Sequence, residues 1–169
     1  NNSRHCFEWM DTFGTDLVYQ VQDDMLYQKP AIYEMVHLFN QVVEDTDTHI
    51  LAFPHNEPYS WLAPINRYKL HPRMLVPGLS RYWITTYDVP TSYMTSVQEF
   101  RKHWDTYEQF LALPSYHLDL EILSTNKILC QYRTYGLKPV ESVAFHMQEE
   151  RHRYPYLDWR PFWDAVEVV

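Results

Sequence analysis

The chain has 169 residues, of which 46% are hydrophobic and 21% charged, with a formal net charge of −8. Enough apolar residue is present for a core, which excludes a disordered chain, and no apolar run reaches the roughly 18 residues of a membrane span. An acidic balance excludes a binder driven by nucleic-acid phosphates, because those need Lys and Arg.

One domain over residues 1–169 fits the length. Glycine is confined to Gly14, Gly78 and Gly136. Phosphate-cradling loops need clustered glycines, so P-loop and dinucleotide enzymes are not expected. Aromatic residues make up 17% of the chain, with 14 Tyr and 6 Trp. Such rings suit pocket walls and interfaces as well as a ring-rich core. Cys6 and Cys130 lie far apart and are read as small apolar thiols, and CxxC zinc sites are excluded. The chain opens on Asn, which points to processing or trimming and leaves the compartment open.

In chain order, Asp16–Val21 alternates through Leu17, Tyr19 and Val21 as a strand, and Asp23-Asp24 turns into a short return at Met25–Tyr27. Pro30 suits a first helical turn. Ile32, Met35, Val36, Phe39 and Val43 then mark one face of an amphipathic helix of about 15 residues. Glu44–Asp47 ends it, and His49–Phe53 reads as a buried strand. Residues 54–80 hold Pro54, Pro58, Pro64, Pro72 and Pro77, so a long Pro-rich loop is expected there, of the kind that forms lids or arms. Arg81–Tyr87 is a strand by its aromatic and β-branched content. Ser96 and Glu99 form a capping box ahead of a helix carrying Val97, Phe100, Trp104, Tyr107 and Leu111, which Pro114 stops. A meander is expected next, with strands at His117–Leu123, Ile128–Tyr135 and Glu141–Gln148 and a last strand or docked segment in Tyr156–Val169. Helices packed on one face of an antiparallel sheet give an α+β class.

From Arg81 onward this order resembles the cone-shaped NTF2-like fold and its SnoaL-like relatives. The strand Arg81–Asp88, the helix Ser96–Leu113 and the hairpin His117–Gly136 carry the resemblance over about half the chain. It implies a curved antiparallel sheet around a pocket, and a family that includes dehydratases, isomerases and cyclases alongside non-catalytic carriers and assembly subunits. The alternative is a ferredoxin-like unit of a dimeric α+β barrel, which suits the repeated strand–helix–strand order.

The polar face of the meander carries Asp119 and Glu121, Gln131 and Arg133, and His146. If it lines a pocket, Asp119 and His146 form an acid–base pair and Arg133 holds an anion or enolate, with Tyr132, Trp104 and Tyr87 as aromatic binding residues. If it faces solvent, the same charges form cross-strand pairs. Glu44, Asp45, Asp47 and His49 read better as a solvated turn than as a cation loop. Neither His146 with His152 nor His117 with Asp119 has a convincing ligand spacing, so no metal or organic cofactor is expected. Two functions remain open. One is a small-molecule binding protein or cofactor-independent lyase or isomerase, taking an apolar or aromatic ligand. The other is a non-catalytic subunit, as a homo-oligomer or in a complex, docking through Tyr59, Trp61, Trp159, Phe162 and Trp163.

Overall fold

The computed structural model of the chain describes residues 2–56, 74–86, 92–113, 127–129, 135–147 and 160–164. Helix α1 spans Asn2–Phe13, and strands β1 (Leu17–Gln20) and β2 (Met25–Tyr27) follow it. Helix α2 spans Ala31–Thr46, with Ala31, Glu34, Met35, Leu38 and Phe39 buried along one stripe. Each fully buried Leu or Met contributes about 1.5–3 kcal/mol, so that stripe fixes the helix far more firmly than propensity does. Its stop is local: Asp47 takes a left-handed φ of 52° and its N–H closes on the Val43 carbonyl.

Strands β3 (Ile50–Ala52), β4 (Leu75–Pro77), β5 (Tyr82–Thr86) and β6 (Tyr93–Ser96) come next. Helices α3 (Val97–Lys102) and α4 (Trp104–Leu111), strands β7 (Tyr135–Pro139) and β8 (Ala144–His146), and helix α5 (Arg160–Asp164) complete the order. The main sheet runs β1-β6-β3-β7-β5-β4, and β2 with β8 forms a second, two-stranded sheet. Its pairings are antiparallel except β3 with β7, which run parallel with Leu51 opposite Gly136.

Strand alternation divides the core in two. Leu51, Phe53 and Tyr93 join Phe7 and Met10 of α1, Val97 and Phe100 of α3, and Tyr107 and Leu111 of α4. On the opposite side Ile50, Ala52 and Met94 join Met35, Leu38 and Phe39 of α2, with Trp83 and Leu137. The α+β class therefore holds, but the helices cover both faces instead of the one expected. Every residue of β3 and β6 is buried, as a strand covered on both sides must be.

Other local expectations shift as well. The helix foreseen across Val97–Leu111 breaks at His103, whose Nε2 lies 2.8 Å from the buried Glu99 carboxylate. The His103 carbonyl then accepts from the amides of Thr106 and Tyr107, which starts α4. Residues 127–129 are helical where the end of a turn at Lys127 and the start of a strand at Ile128 were expected, and Ile128 and Leu129 pack into the aromatic cluster. The tail, expected as a last strand or docked segment, carries a helix at Arg160–Asp164, and its other residues lie outside the described ones. Within the Pro-rich stretch, β4 adds an edge strand to β5. The remainder of that loop at 57–73, and the meander at 114–126 and 130–134, lie outside the described residues. So do Tyr59, Trp61, Trp159 and the side chains of Phe162 and Trp163.

Two clasps fix the layers. Arg101 of α3 donates to the Asp11 carbonyl, and its Nε lies 3.3 Å from the Asp11 carboxylate, tying α3 to α1. Buried Glu34 of α2 accepts from the Ser80 hydroxyl and faces Arg81 Nε at 3.7 Å. Arg81 Nη1 donates in turn to the Glu141 carbonyl at 3.0 Å. This ties α2 to the turn between β7 and β8.

Candidate functional site

Of the expected site residues, His146 and Trp104 fall within the described structure. Asp119, Arg133, Tyr132 and Tyr87 lie outside it. Trp104 opens α4 and sits edge-on to Phe100 at 5.9 Å, packed against the aromatic core. His146 ends β8 and is buried, with Nε2 placed 3.0 Å from Asp24 Oδ2. The sequence gives Asp24 only a turn-forming role. It becomes the carboxylate of His146 because β2 pairs with β8, with Met25 opposite His146. Met147 N–H also donates to the Asp24 carbonyl at 2.8 Å, which holds the turn against the strand end.

The pair sits beside the carboxyl end of β3. The Pro54 carbonyl accepts from the amides of Val143 and Ala144, and the Asn56 amide donates to Ser142 Oγ at 2.9 Å. Gln28 Nε2 donates to the Ser142 carbonyl at 3.1 Å. These bonds carry the two-stranded sheet on the end of the main one. They bring the His55 ring to 6.2 Å from the His146 ring. His55, Asn56, Ser142 and His146 are all buried, as is Lys138 near the same end of β7. Burying polar groups costs free energy unless they are bonded, so their concentration here is not what core packing alone would select.

Two tyrosines border this end. Tyr19 and Tyr27 meet edge to face at 6.0 Å. Burial pushes the Tyr27 phenol above its usual range, and the negative charge of Asp24 adds to the shift. Burial does the same to Tyr19. Both phenols therefore stay protonated at neutral pH. A carboxylate that accepts from Nε2–H fixes the tautomer and orientation of the His146 ring.

A second polar arrangement lies at the opposite, amino end of β3. A groove of about 390 Å³ opens between the C-terminal half of α2 and the chain leading into β1. Asp16, Phe39, Asn40, Glu44, His49 and Ser96 are among its lining residues. His49 Nδ1 lies 2.8 Å from Ser96 Oγ, and that same oxygen caps α3 by accepting from the Glu99 amide at 3.0 Å. The capping box makes Ser96 legible in the sequence, while its contact with His49 needs the pairing of β3 with β6. Glu44 and His49 thus share a groove wall, although the sequence reads them as one solvated turn.

Among the described residues, no three His, Cys, Asp or Glu side chains are grouped to hold a metal ion. No described helix is long and apolar enough to cross a membrane. No protein-family model matches this sequence, and no curated protein matches it.

Proposed function

We propose that the protein binds a small apolar or aromatic molecule at the carboxyl end of β3 and performs cofactor-independent proton transfer on it, as a lyase or isomerase does. The observation that carries this reading is the pairing of buried His146 with the part-exposed Asp24 carboxylate, 3.0 Å apart and adjoining a second imidazole. His146 acts as the acid–base group, and Asp24 takes the orienting part first given to Asp119. The reading extends the resemblance to SnoaL-like proteins, whose chemistry rests on a few polar groups in an apolar setting.

In such a step His146 takes a proton from carbon beside a carbonyl, the electron pair moves onto the carbonyl oxygen as an enolate, and the imidazolium returns the proton to another position. No oxidant or second substrate is needed. A positioned general base contributes about 10²–10⁴-fold. Proton NMR in heavy water tests this, with cyclohexanone and acetophenone as probes. The protein should accelerate deuterium uptake beside the carbonyl, and His146→Gln should reduce that acceleration by about 10²–10⁴-fold with the fold intact. Equal exchange rates for the wild type and His146→Gln would end the proposal.

A second reading has its own observation. Met74, Leu75, Leu79 and Tyr82 are about half exposed around the edge strand β4. Exposed apolar groups beside a sheet edge mark a docking face, which favours a non-catalytic subunit. Absent exchange together with self-association at micromolar concentration selects that reading.

A further inference from the structure

We infer that the outer edge of β1 takes an extended segment of a partner protein, basic at both ends, as a further strand of the main sheet. This edge lies across the sheet from β4, and the inference does not depend on the proton-transfer reading.

Among the described strands, β1 and β4 are the edges of the main sheet, and they are finished differently. In β4 the Met74 carbonyl accepts from the Thr85 amide at 3.1 Å, and the Gly78 amide donates to the Arg81 carbonyl at 2.8 Å. Antiparallel pairs alternate between bonded and non-bonded, so Leu75 and Pro77 turn their backbone groups outward. Pro77 has no N–H, and proline on an edge hinders strand addition. In β1 the Asp16 carbonyl accepts from the Val97 amide at 2.8 Å. By the same alternation Val18 and Gln20 bond inward to Thr95 and Tyr93. Leu17 and Tyr19 therefore turn both N–H and C=O away from β6. No described strand pairs with them on that side. Residues 16–22 hold neither proline nor lysine to blunt the edge.

An edge of this kind binds through its main chain, and its side chains set what it selects. Leu17 and Tyr19 pack on the α2 side of the core yet stay partly exposed, and Val21 beyond them is 51% exposed. Apolar side chains at alternate positions of an added strand lie beside them and extend their cover. Charge selects the ends. Asp16 precedes the strand and Asp23 follows it, both exposed. From His5 to Gln28 the sequence has neither Lys nor Arg. A second copy of β1 run antiparallel sets the carboxylates of Asp16 and Asp23 against each other across the new pair, and like charges so placed are destabilising. A strand with Lys or Arg at both ends meets a carboxylate at each. The complementary occupant is therefore a basic segment of another protein and not a second copy of this chain.

The test titrates the protein with a capped heptapeptide that has lysine at each end and alternating valine and threonine between. Two counterparts run in parallel: the same peptide with glutamate ends, and the lysine-ended peptide N-methylated at every valine and threonine. NMR follows the backbone amide signals of Leu17 and Tyr19. The lysine-ended peptide should shift both saturably and slow their exchange with solvent. The glutamate-ended peptide should bind more weakly, and the N-methylated one should not bind, because it cannot pair. Asp16→Asn and Asp23→Asn should each weaken binding about two- to fivefold, and added salt should weaken it further. Leu17→Pro removes an outward N–H and leaves the ladder to β6 intact, so it should weaken binding by about tenfold with the circular dichroism unchanged. If that variant does not fold, the N-methylated peptide makes the same test on the unaltered protein. Unmoved Leu17 and Tyr19 signals, equal binding of either counterpart peptide, undiminished binding by folded Leu17→Pro, or protection of these amides by self-association before peptide is added would each overturn the inference.

Discussion

The two faces of the main sheet are covered in different ways by strands they share. Among the described residues, one face is covered by the 16-residue helix α2, which lays Met35, Leu38 and Phe39 over Ile50, Ala52 and Met94. On the other, α1, α3 and α4 meet over Leu51, Phe53 and Tyr93 through their rings. Phe100 stacks on Tyr107 at 4.7 Å, and Phe7 stands edge-on to both, at 5.7 and 5.0 Å. Helices α3 and α4 have 6 and 8 residues, too few to persist alone in water. Ring geometry therefore secures three short helices on one face, where one buried stripe secures a longer helix on the other. The first solution is specific and unforgiving. The second sets mainly aliphatic and thioether groups, which repack more readily, around Phe39 and Trp83.

The largest expected effect follows from that contrast. Phe100→Ala should destabilise the protein by about 3–5 kcal/mol, because it removes a ring that Phe7, Trp104 and Tyr107 all contact. Met35→Leu on the aliphatic face is nearly volume-conserving and should cost less than about 1.5 kcal/mol. Urea unfolding measures both, and comparable losses would remove the distinction.

Gly136 gives a finer test at the strand where the ring-bearing face closes. A Cβ there would stand 2.8 Å from Phe53 Cε2 and 2.8 Å from the Thr86 carbonyl oxygen, with Leu129 Cδ1 at 3.1 Å. The carbonyl belongs to the paired strand β5 and cannot swing aside, since Thr86 is in register with Gly136. Gly136→Ala should cost about 1–3 kcal/mol by overpacking, not by backbone strain. A neutral result would show that this face yields more readily than its rings imply.

The contrast also explains which parts of the fold were legible. Helix α2 announces itself through Met35 and Phe39 at helical spacing, and β5 through its aromatic and β-branched run. The apolar run Ile50–Phe53 reads as a buried strand, and it also holds the sign of a two-faced sheet, because neither of its sides is polar. What a local pattern lacks is the partner. The parallel pairing of β3 with β7 joins Ile50 to Tyr135 across the sequence, and Asp24 reaches His146 only through β2 and β8. Helix α1 was missed because its buried residues, Phe7 and Met10, are few and stand among polar neighbours. The break at His103 has no glycine or proline to mark it. It depends on a buried bond to Glu99 that resembles any ordinary i,i+4 spacing.

Ser96 offers the smallest and most discriminating test, because it touches both faces. The chain passes through it from β6 into α3 on the ring-bearing side, and its Oγ accepts from the Glu99 amide. The same oxygen meets His49, whose ring leans on Phe39 of α2. Loss of a serine cap costs about 1 kcal/mol, so Ser96→Ala should lower stability by that amount. If the faces are secured differently, the loss will not spread evenly. Helix α3 is short and depends on its cap, so amide exchange across Val97–Lys102 should accelerate by about fivefold. Helix α2 is long and held by Met35, Leu38 and Phe39, so its amides should stay protected although His49 has lost its partner. Ser96→Asp restores a capping oxygen and should recover the protection of α3. Equal acceleration in α2 and α3 would mean that the two faces open as one unit, and the division drawn between them would fall.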